Sequence, residues 1–219
     1  MLLSKAEADA ITGRSAQLES RVGVQVIAAI IGKADAHVEL PWKAFALGAV
    51  LSGLAMVVAD LARPQWLTAN VALVDTVTIL GTGAASALLA VFVPAYARFF
   101  LRSTRRDAEV RRYAEALFLR HELFKTRERN GILILVSCFE RKVEILADVG
   151  LHRRVSDAEW RPVIARMTPL LRERRFAEAL QEGLAAAEEL LAAKGLNARM
   201  DAGVENELPD RPIDEGGES

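Results

Sequence analysis

Polar and apolar positions divide the chain into three stretches: two with the periodicities of a soluble fold, and one between them with almost no polar position. Residues 4–7 (SKAE) match a capping box, with Ser4 and Glu7 each placed to satisfy a free amide at a helix start. Ala8, Ile11, Ser15, Leu18 and Val22 then recur at helical spacing, which predicts a helix to about Arg21, ended by Gly23. Residues 24–31 (VQVIAAII) are apolar at both parities apart from Gln25, as in a strand covered on both faces.

The central stretch, residues 41–101, holds two uncharged runs. The first, Ala44 to Ala59, reaches about 20 residues once Trp42 and Leu61 are included, the length that crosses a hydrocarbon core. The second runs from Thr76 to Ala97, with Pro94 near its far end, where lipid tolerates a kink. Core helices of a soluble protein carry a polar face, and neither run has one. Spans at about 42–61 and 75–97, joined by a short link, predict a transmembrane helical hairpin. Gly48, Ser52 and Gly53 on the first, and Gly81, Gly83, Ala84 and Ala87 on the second, suit close helix packing.

Beyond the hairpin the soluble periodicities return. Val110, Tyr113, Ala114, Leu117, Phe118, His121 and Phe124 share a face, predicting a helix over roughly 104–125. His121 lies on that apolar face with no partner at metal spacing, so it reads as a core histidine. Asn130-Gly131 is a turn signal, and residues 132–136 (ILILV) read as a second doubly covered strand. Residues 142–147 (KVEILA) alternate, with Val143 and Ile145 on one face, as in a strand near a sheet edge, and the two strands suit a hairpin.

Ser156 and Glu159 form a second capping box, and Trp160, Val163, Ile164, Met167 and Leu171 give the next helix its stripe, with Pro162 and Pro169 limiting its regularity. Phe176, Leu180, Leu184, Ala187 and Leu191 mark the last helix, ended by Gly195. Residues 196–219 are polar, acidic and rich in Gly and Pro, and are expected to be a disordered tail.

Charge fixes the orientation. Lys33 and Lys43 precede the first span and Arg98, Arg102, Arg105, Arg106, Arg111 and Arg112 follow the second, whereas the link offers only Arg63 against Asp60 and Asp75. The positive-inside rule then puts both termini on the cytoplasmic side of the membrane. Arg98, Arg102, Arg105 and Arg106 directly follow a span, which favours contact with anionic lipid headgroups over nucleic acid. Over 219 residues the net charge is −1, which points to neither nucleic acid nor a strongly acidic partner. The lone Cys138 rules out an intrachain disulfide and fits a reducing compartment. Residues 1–5 lead into an amphipathic pattern rather than an apolar run, so no cleaved signal peptide is expected.

A strand before the hairpin and two after it need one another as partners. The predicted fold is therefore α/β: a three-layer α/β/α sandwich with an inserted two-helix transmembrane hairpin. Its first part is residues 1–40, the hairpin 41–101, the second part 102–195 and the tail 196–219.

Residues 130–137 (NGILILVS), 140–151 (ERKVEILADVGL), Ser156-Asp157 and 175–180 (RFAEAL) together resemble the TPM domain. That module is shared by thylakoid lumen proteins of photosystem II repair, a nematode acetylcholine-receptor auxiliary subunit and many bacterial membrane proteins. Residues 3–8 (LSKAEA) and 22–27 (VGVQVI) resemble its opening helix and first strand. With residues 206–213 (NELPDRPI) the pattern is most similar to a bacterial, membrane-anchored subgroup.

The resemblance implies an acid phosphatase or a calcium-binding module, with carboxylates around the strand ends. This chain departs from that pattern: Gln25 stands where the family usually has glutamate, Arg129 where it has aspartate and His152 where it often has glutamate. Asp148, Asp157 and Glu140 remain as candidate metal ligands. Hard cations need several oxygens, and Arg141, Arg153 and Arg154 flank these three, so they read better as a turn former, a first-turn helix residue and a turn residue.

No phosphate loop, nucleophile elbow or paired-histidine motif is present, so no catalytic residue is assigned and no cofactor is expected, calcium or magnesium being the ions this set would take. The expected role is a membrane-anchored interaction, assembly or maintenance module for a membrane complex, with the lipid bilayer and a membrane protein as partners. A divalent-metal-dependent acid phosphatase using Asp148 and Asp157, with Arg153 or Arg154 on the phosphate, is the alternative. An accessory subunit of a transporter or channel is a third reading.

Overall fold

The computed structural model describes residues 2–35, 37–62, 69–101, 103–196 and 211–216, the side chains of residues 69 and 103–105 excepted. The chain divides into two compact units, Met1–Asp35 with Arg106–Ser219, and Ala36–Arg105.

The first unit is built on a four-stranded sheet of order β3-β2-β1-β4. β1 (Gln25–Ile31) and β2 (Gly131–Ser137) are parallel, from Gln25 opposite Gly131 to Ile31 opposite Ser137, although the whole second unit lies between them in sequence. β2 pairs antiparallel with the edge strand β3 (Lys142–Ala147), and β4 (Ile213–Glu215) adds in parallel to the other side of β1.

Alternation along β1 and β2 divides the core in two. Val26, Ala28, Ile30, Ile132, Ile134 and Val136 face α1 (Lys5–Val22), α7 (Arg161–Arg172) and α8 (Phe176–Ala193). Ile27, Ala29, Ile31, Leu133 and Leu135 face α5 (Ser103–Arg120) through Val110, Ala114 and Leu117. This is the three-layer α/β/α sandwich, and it explains why both central strands are apolar at every position but their ends.

Local chemistry sets the element boundaries. Ser4 and Glu7 form the full capping box of α1, and Gly23 ends that helix at φ 73°, where a Cβ would be strained. Glu19 at the end of α1 turns its carboxylate onto the Val26 N–H at 2.8 Å, satisfying a donor on the outer edge of β1. Glu188 of α8 pairs with Arg14 at 2.7 Å and Arg21 at 2.8 Å, which ties α8 to α1.

In this first unit three boundaries differ from the sequence reading. The helix expected to begin at Ser156 starts at Arg161. Ser156 does bond the Glu159 carboxylate, but the Glu159 N–H goes to the Ser156 carbonyl at 3.0 Å and closes a tight turn instead. α5 ends at Arg120, and Leu123–Lys125 form a separate 3₁₀ turn after Glu122, whose φ of 55° breaks the helix. The tail was expected to be wholly disordered, yet Ile213–Glu215 is strand β4: pairing with β1 overrides a local composition that favours no structure.

In the second unit, α2 (Glu39–Ala62) and α3 (Ala69–Phe92) pack against each other. A Cβ on Gly48 would lie 2.8 Å from the Ser86 Cβ, and one on Gly83 would lie 2.9 Å from the Phe45 ring. The Ser86 hydroxyl donates to the Ala44 carbonyl at 2.8 Å, which uses its one proton, so the Tyr96 hydroxyl at 2.7 Å donates to it. α3 ends sooner than the expected span because Val93, preceding Pro94, is extended at φ −114°, ψ 95°; a short α4 (Pro94–Phe99) follows. It also begins earlier, at Ala69, so Asp75 lies within the helix rather than at its start.

Only 6% of the most apolar window of each helix is buried. Leu51, Leu54, Val57 and Val58 on α2 and Leu73, Val77, Leu80 and Leu88 on α3 are all more than half exposed. Each such side chain forgoes about 1.5–3 kcal/mol of burial if water surrounds it. Both helices are long and apolar enough to cross a membrane, which removes that cost.

Candidate functional site

The candidate carboxylates separate along β3. Glu140 sits in the turn between β2 and β3, whereas Asp148 follows the far end of β3, where its N–H bonds the Gly131 carbonyl at 2.9 Å. The six residues of β3 span about 20 Å at ~3.4 Å per residue, so Glu140 and Asp148 do not meet around one ion. Sequence proximity suggested a cluster, and the antiparallel hairpin places its members at opposite ends. Among the described residues no group of three or more His, Cys, Asp or Glu side chains is arranged to hold a metal.

Each carboxylate already has partners. Glu140 is buried, bonded by the Ser137 hydroxyl and, at 3.2 Å, by the Ala34 N–H. Asp157 is exposed, its carboxylate 3.5 Å from His152 Nδ1.

Asp148 is the most constrained of the three. Its side chain is only 3% exposed and caps the short α6 (Val149–His152) by accepting from the Val149 N–H at 2.7 Å. Arg129 then grips it with two bonds, Nε to Oδ2 at 2.7 Å and Nη2 to Oδ1 at 3.0 Å. The bonds to Asp148 push the Arg129 guanidinium further into its charged form. Both oxygens are thus engaged, three bonds in all, by fixed donors.

The corner that brings Arg129 there is built from backbone. Arg129 adopts φ 52°, and its carbonyl accepts from the Gly150 N–H at 2.9 Å. Gly150 must lack a Cβ, because one would sit 2.3 Å from the Glu128 carbonyl oxygen and 2.6 Å from that of Arg129. The neighbouring Asn130 donates from Nδ2 to the Gly23 carbonyl at 2.7 Å, fixing the corner to the end of α1.

Beside this corner lies an open groove of about 410 Å³ at the β3 edge, lined among others by Arg111, Glu144, His152, Arg153, Asp157 and Trp160. Asp148 does not line it. Arg111 is engaged by Glu115 at 3.1 Å and Glu144 at 3.6 Å, so charges of both signs meet along the groove wall.

The remaining candidates are placed as follows. Arg98 lies in the last turn of α4, and Arg106 pairs with Asp107 at 3.3 Å. Arg102 and the side chain of Arg105 fall outside the described residues. Farther along α5, Arg112 pairs with Glu109, so acidic neighbours offset much of the basic run. Burial, with Asp214 and Glu140 nearby, pushes the Cys138 thiol up to about 12, which keeps it protonated and a poor nucleophile.

Residues 95–190 match the TPM domain family. The chain carries a TPM domain. The match begins in α4 and ends within α8, so α1 and β1 lie before the matched segment and β4 after it. Among solved structures, the fold is similar to the NMR structure of the BA42 protein from the psychrophilic bacterium Bizionia argentinensis, with a TM-score of 0.57 and 15% identity over 97% of this chain and 94% of that one. No curated protein matches.

Within this TPM domain, the residue the sequence reading treated only as a lost acid, Arg129, is the one that decides the electrostatics. Its partner lies 19 positions away, and only the β2–β3 register brings the two together. The sheet also uses two acids that the sequence reading did not single out, Asp214 and Glu215, both in the stretch it assigned to disorder.

Proposed function

We propose that the chain is a membrane-tethered TPM-domain module whose role is interaction, assisting assembly or maintenance of a membrane complex, with the hairpin in a bacterial inner membrane and the α/β domain on its cytoplasmic side. The observation that carries the reading is the Arg129–Asp148 pair: a guanidinium of the domain itself occupies both oxygens of a buried candidate ligand. A carboxylate neutralised in this way is a structural anchor rather than a cation site, and the fold around it is otherwise complete. Two helices with apolar, exposed surfaces supply the tether. Basic residues on both flanks of the hairpin supply the orientation.

Two measurements test this reading. Purified protein should float with liposomes and turn over no phosphate ester with calcium or magnesium present. Metal-dependent turnover abolished by Asp148→Asn would return the chain to the phosphatase reading. Orientation is checked with a Cys138→Ala/Ser219→Cys chain in intact cells. Labelling by a membrane-impermeant maleimide only after permeabilisation supports a cytoplasmic C-terminus, and labelling of intact cells overturns it.

A further inference from the structure

The chain changes direction at Val93, where extended backbone ahead of Pro94 separates α3 from α4. Had one straight helix run through, the Cα atoms of Ser86 and Tyr96 would stand about 15 Å apart, farther than the two side chains reach together. Their hydroxyls instead meet at 2.7 Å. α4 is therefore bent over the end of the hairpin and contacts both α2 and α3 there. Ala97 on its inner face is buried, as are Leu40, Ala44 and Ala90 at that end.

The outer side of the same end is aromatic. Gly48 lies beside Thr82–Ser86 and Gly53 beside Ile79, so α2 and α3 run antiparallel and the start of one adjoins the end of the other. Trp42, Phe92 and Phe99 place one ring there on each of α2, α3 and α4, and each is roughly three-quarters exposed. Tyr96 and Phe100, whose rings pack edge to face 5.3 Å apart, back them. Aromatic side chains gather where hydrocarbon gives way to headgroups.

Asp60 on α2 and Asp75 on α3 mark the opposite rim. At a rise of ~1.5 Å per residue, Trp42 and Asp60 stand about 27 Å apart and Phe92 and Asp75 about 26 Å. The two helices thus reach from aromatic collar to acidic rim over nearly the same height, slightly less than the ~30 Å of an average hydrocarbon core. A span running through α4 to Ala97 would instead draw the polar end of Tyr96 and the neighbouring Arg98 into lipid. Ending it at Phe92 leaves every ionisable side chain of both helices at a rim.

We propose that α4 lies in the membrane surface as an interfacial helix, with Trp42, Phe92 and Phe99 seated at the boundary between headgroups and acyl chains and a hydrocarbon layer of about 26 Å between them and Asp60 and Asp75. The inference rests on the reading of the hairpin as a membrane tether and names the lipid surface that the tether fits. Three exposed rings on three different helices, at one end of a pair whose height matches a bilayer, suit a lipid boundary better than one flat protein contact.

The test uses the full chain in phosphatidylcholine and phosphatidylglycerol liposomes, with Cys138→Ala and one new cysteine at a time carrying a spin label. The positions are Leu73, Ala84, Phe92, Ala95 and Phe99, all exposed. The ratio of collisions with oxygen to collisions with a water-soluble nickel complex reports depth. Ala84→Cys should give a ratio at least fivefold above that of Ala95→Cys and Phe99→Cys. Those two should agree within twofold with Phe92→Cys and Leu73→Cys and stay above the value in water. A helix continuing the axis of α3 would carry position 99 about 10 Å beyond position 92.

Water-like ratios at 95 and 99 with a deep Ala84→Cys overturn the proposal and leave the tether standing, as do ratios at 95 and 99 equal to that of Ala84→Cys. Water-like ratios at all five positions, in a chain that does not float, overturn the tether reading and the proposal together. Dipolar broadening at position 99 that unlabelled chain dilutes away assigns the rings to a second copy and overturns the lipid assignment. If the labelled chains do not fold, Trp66→Phe leaves Trp42 as the reporter beside Trp160, which is buried in the α/β core and adds a constant background. Lipids brominated near the headgroup should then quench it at least twofold more than lipids brominated near the chain centre, and the reverse order overturns the proposal.

Discussion

The guanidinium of Arg129 and the carboxylate of Asp148 face each other in a two-point ion pair, 2.7 and 3.0 Å across, with the carboxylate 3% exposed and the guanidinium side chain 52% exposed. The asymmetry in burial makes the two partners unequal. Losing Arg129 strands a buried negative charge, whereas losing the charge on Asp148 leaves an exposed cation that water solvates.

Arg129→Ala should therefore destabilise the domain more than Asp148→Asn, which keeps an oxygen for the Val149 N–H. Asp148→Ala removes that cap as well and should cost about 1 kcal/mol from the cap alone. Urea melts of the three variants check the order. Millimolar calcium or magnesium should leave wild-type melting unchanged, and a metal-induced rise that Asp148→Asn removes would count against the pair as the site's resident charge.

Gly150→Ala forces a Cβ to within 2.3 Å of the Glu128 carbonyl oxygen, a backbone atom with little freedom to yield. It should cost about 1–3 kcal/mol as an overpacking substitution and loosen the Arg129 corner with it. Thermal unfolding followed by circular dichroism measures the loss.

In the hairpin, glycines on one helix should differ sharply. A Cβ on Gly83 meets the Phe45 ring at 2.9 Å, whereas one on Gly81 meets nothing within 4 Å. Gly83→Val should weaken helix pairing, read as SDS-resistant compactness on gels, and Gly81→Ala should not. Phe45→Leu should restore much of what Gly83→Ala loses, because the ring is what obstructs the new methyl.

Acid should release α8 from α1. Burial alone would raise the Glu188 carboxyl, but Arg21 and Arg14 outweigh it and hold the group below the ordinary 4.5. A folded pKa below the unfolded one contributes stability that is present above pH 4.5 and is lost as pH falls through the folded value. The melting temperature should drop below pH 4.5, and Glu188→Gln should flatten that limb while lowering stability at neutral pH. An identical acid limb in the Gln variant would place the effect elsewhere.

Most of the architecture could be read from the sequence because its signals are local. The Ser4–Glu7 box, the doubly apolar strands at 25–31 and 131–137 and the alternation of 142–147 each state an element and its exposure in a few residues. What could not be read depends on distant partners. β4 is a strand only because Ala29–Ile31 offers it an edge. Arg129 is an anchor only because β2 and β3 run antiparallel and return Asp148 to its side. Glu140 and Asp148, eight positions apart, were grouped by sequence and are parted by the strand between them. The Ser156 box failed for a local reason, since a tight turn used the Glu159 N–H before a helix could begin there.

The register of β1 against β2, Gln25 beside Gly131, also sets the order in which this protein can be made. β1 leaves the ribosome early, and its neighbour emerges only after both apolar helices of the second unit have been made. Throughout that interval the nascent chain carries a naked strand whose seven positions are all destined for burial. Final closure of the sheet then acts as a checkpoint: with the hairpin inserted as proposed, the domain completes itself only once both arms of the insert have returned to the same side of the bilayer.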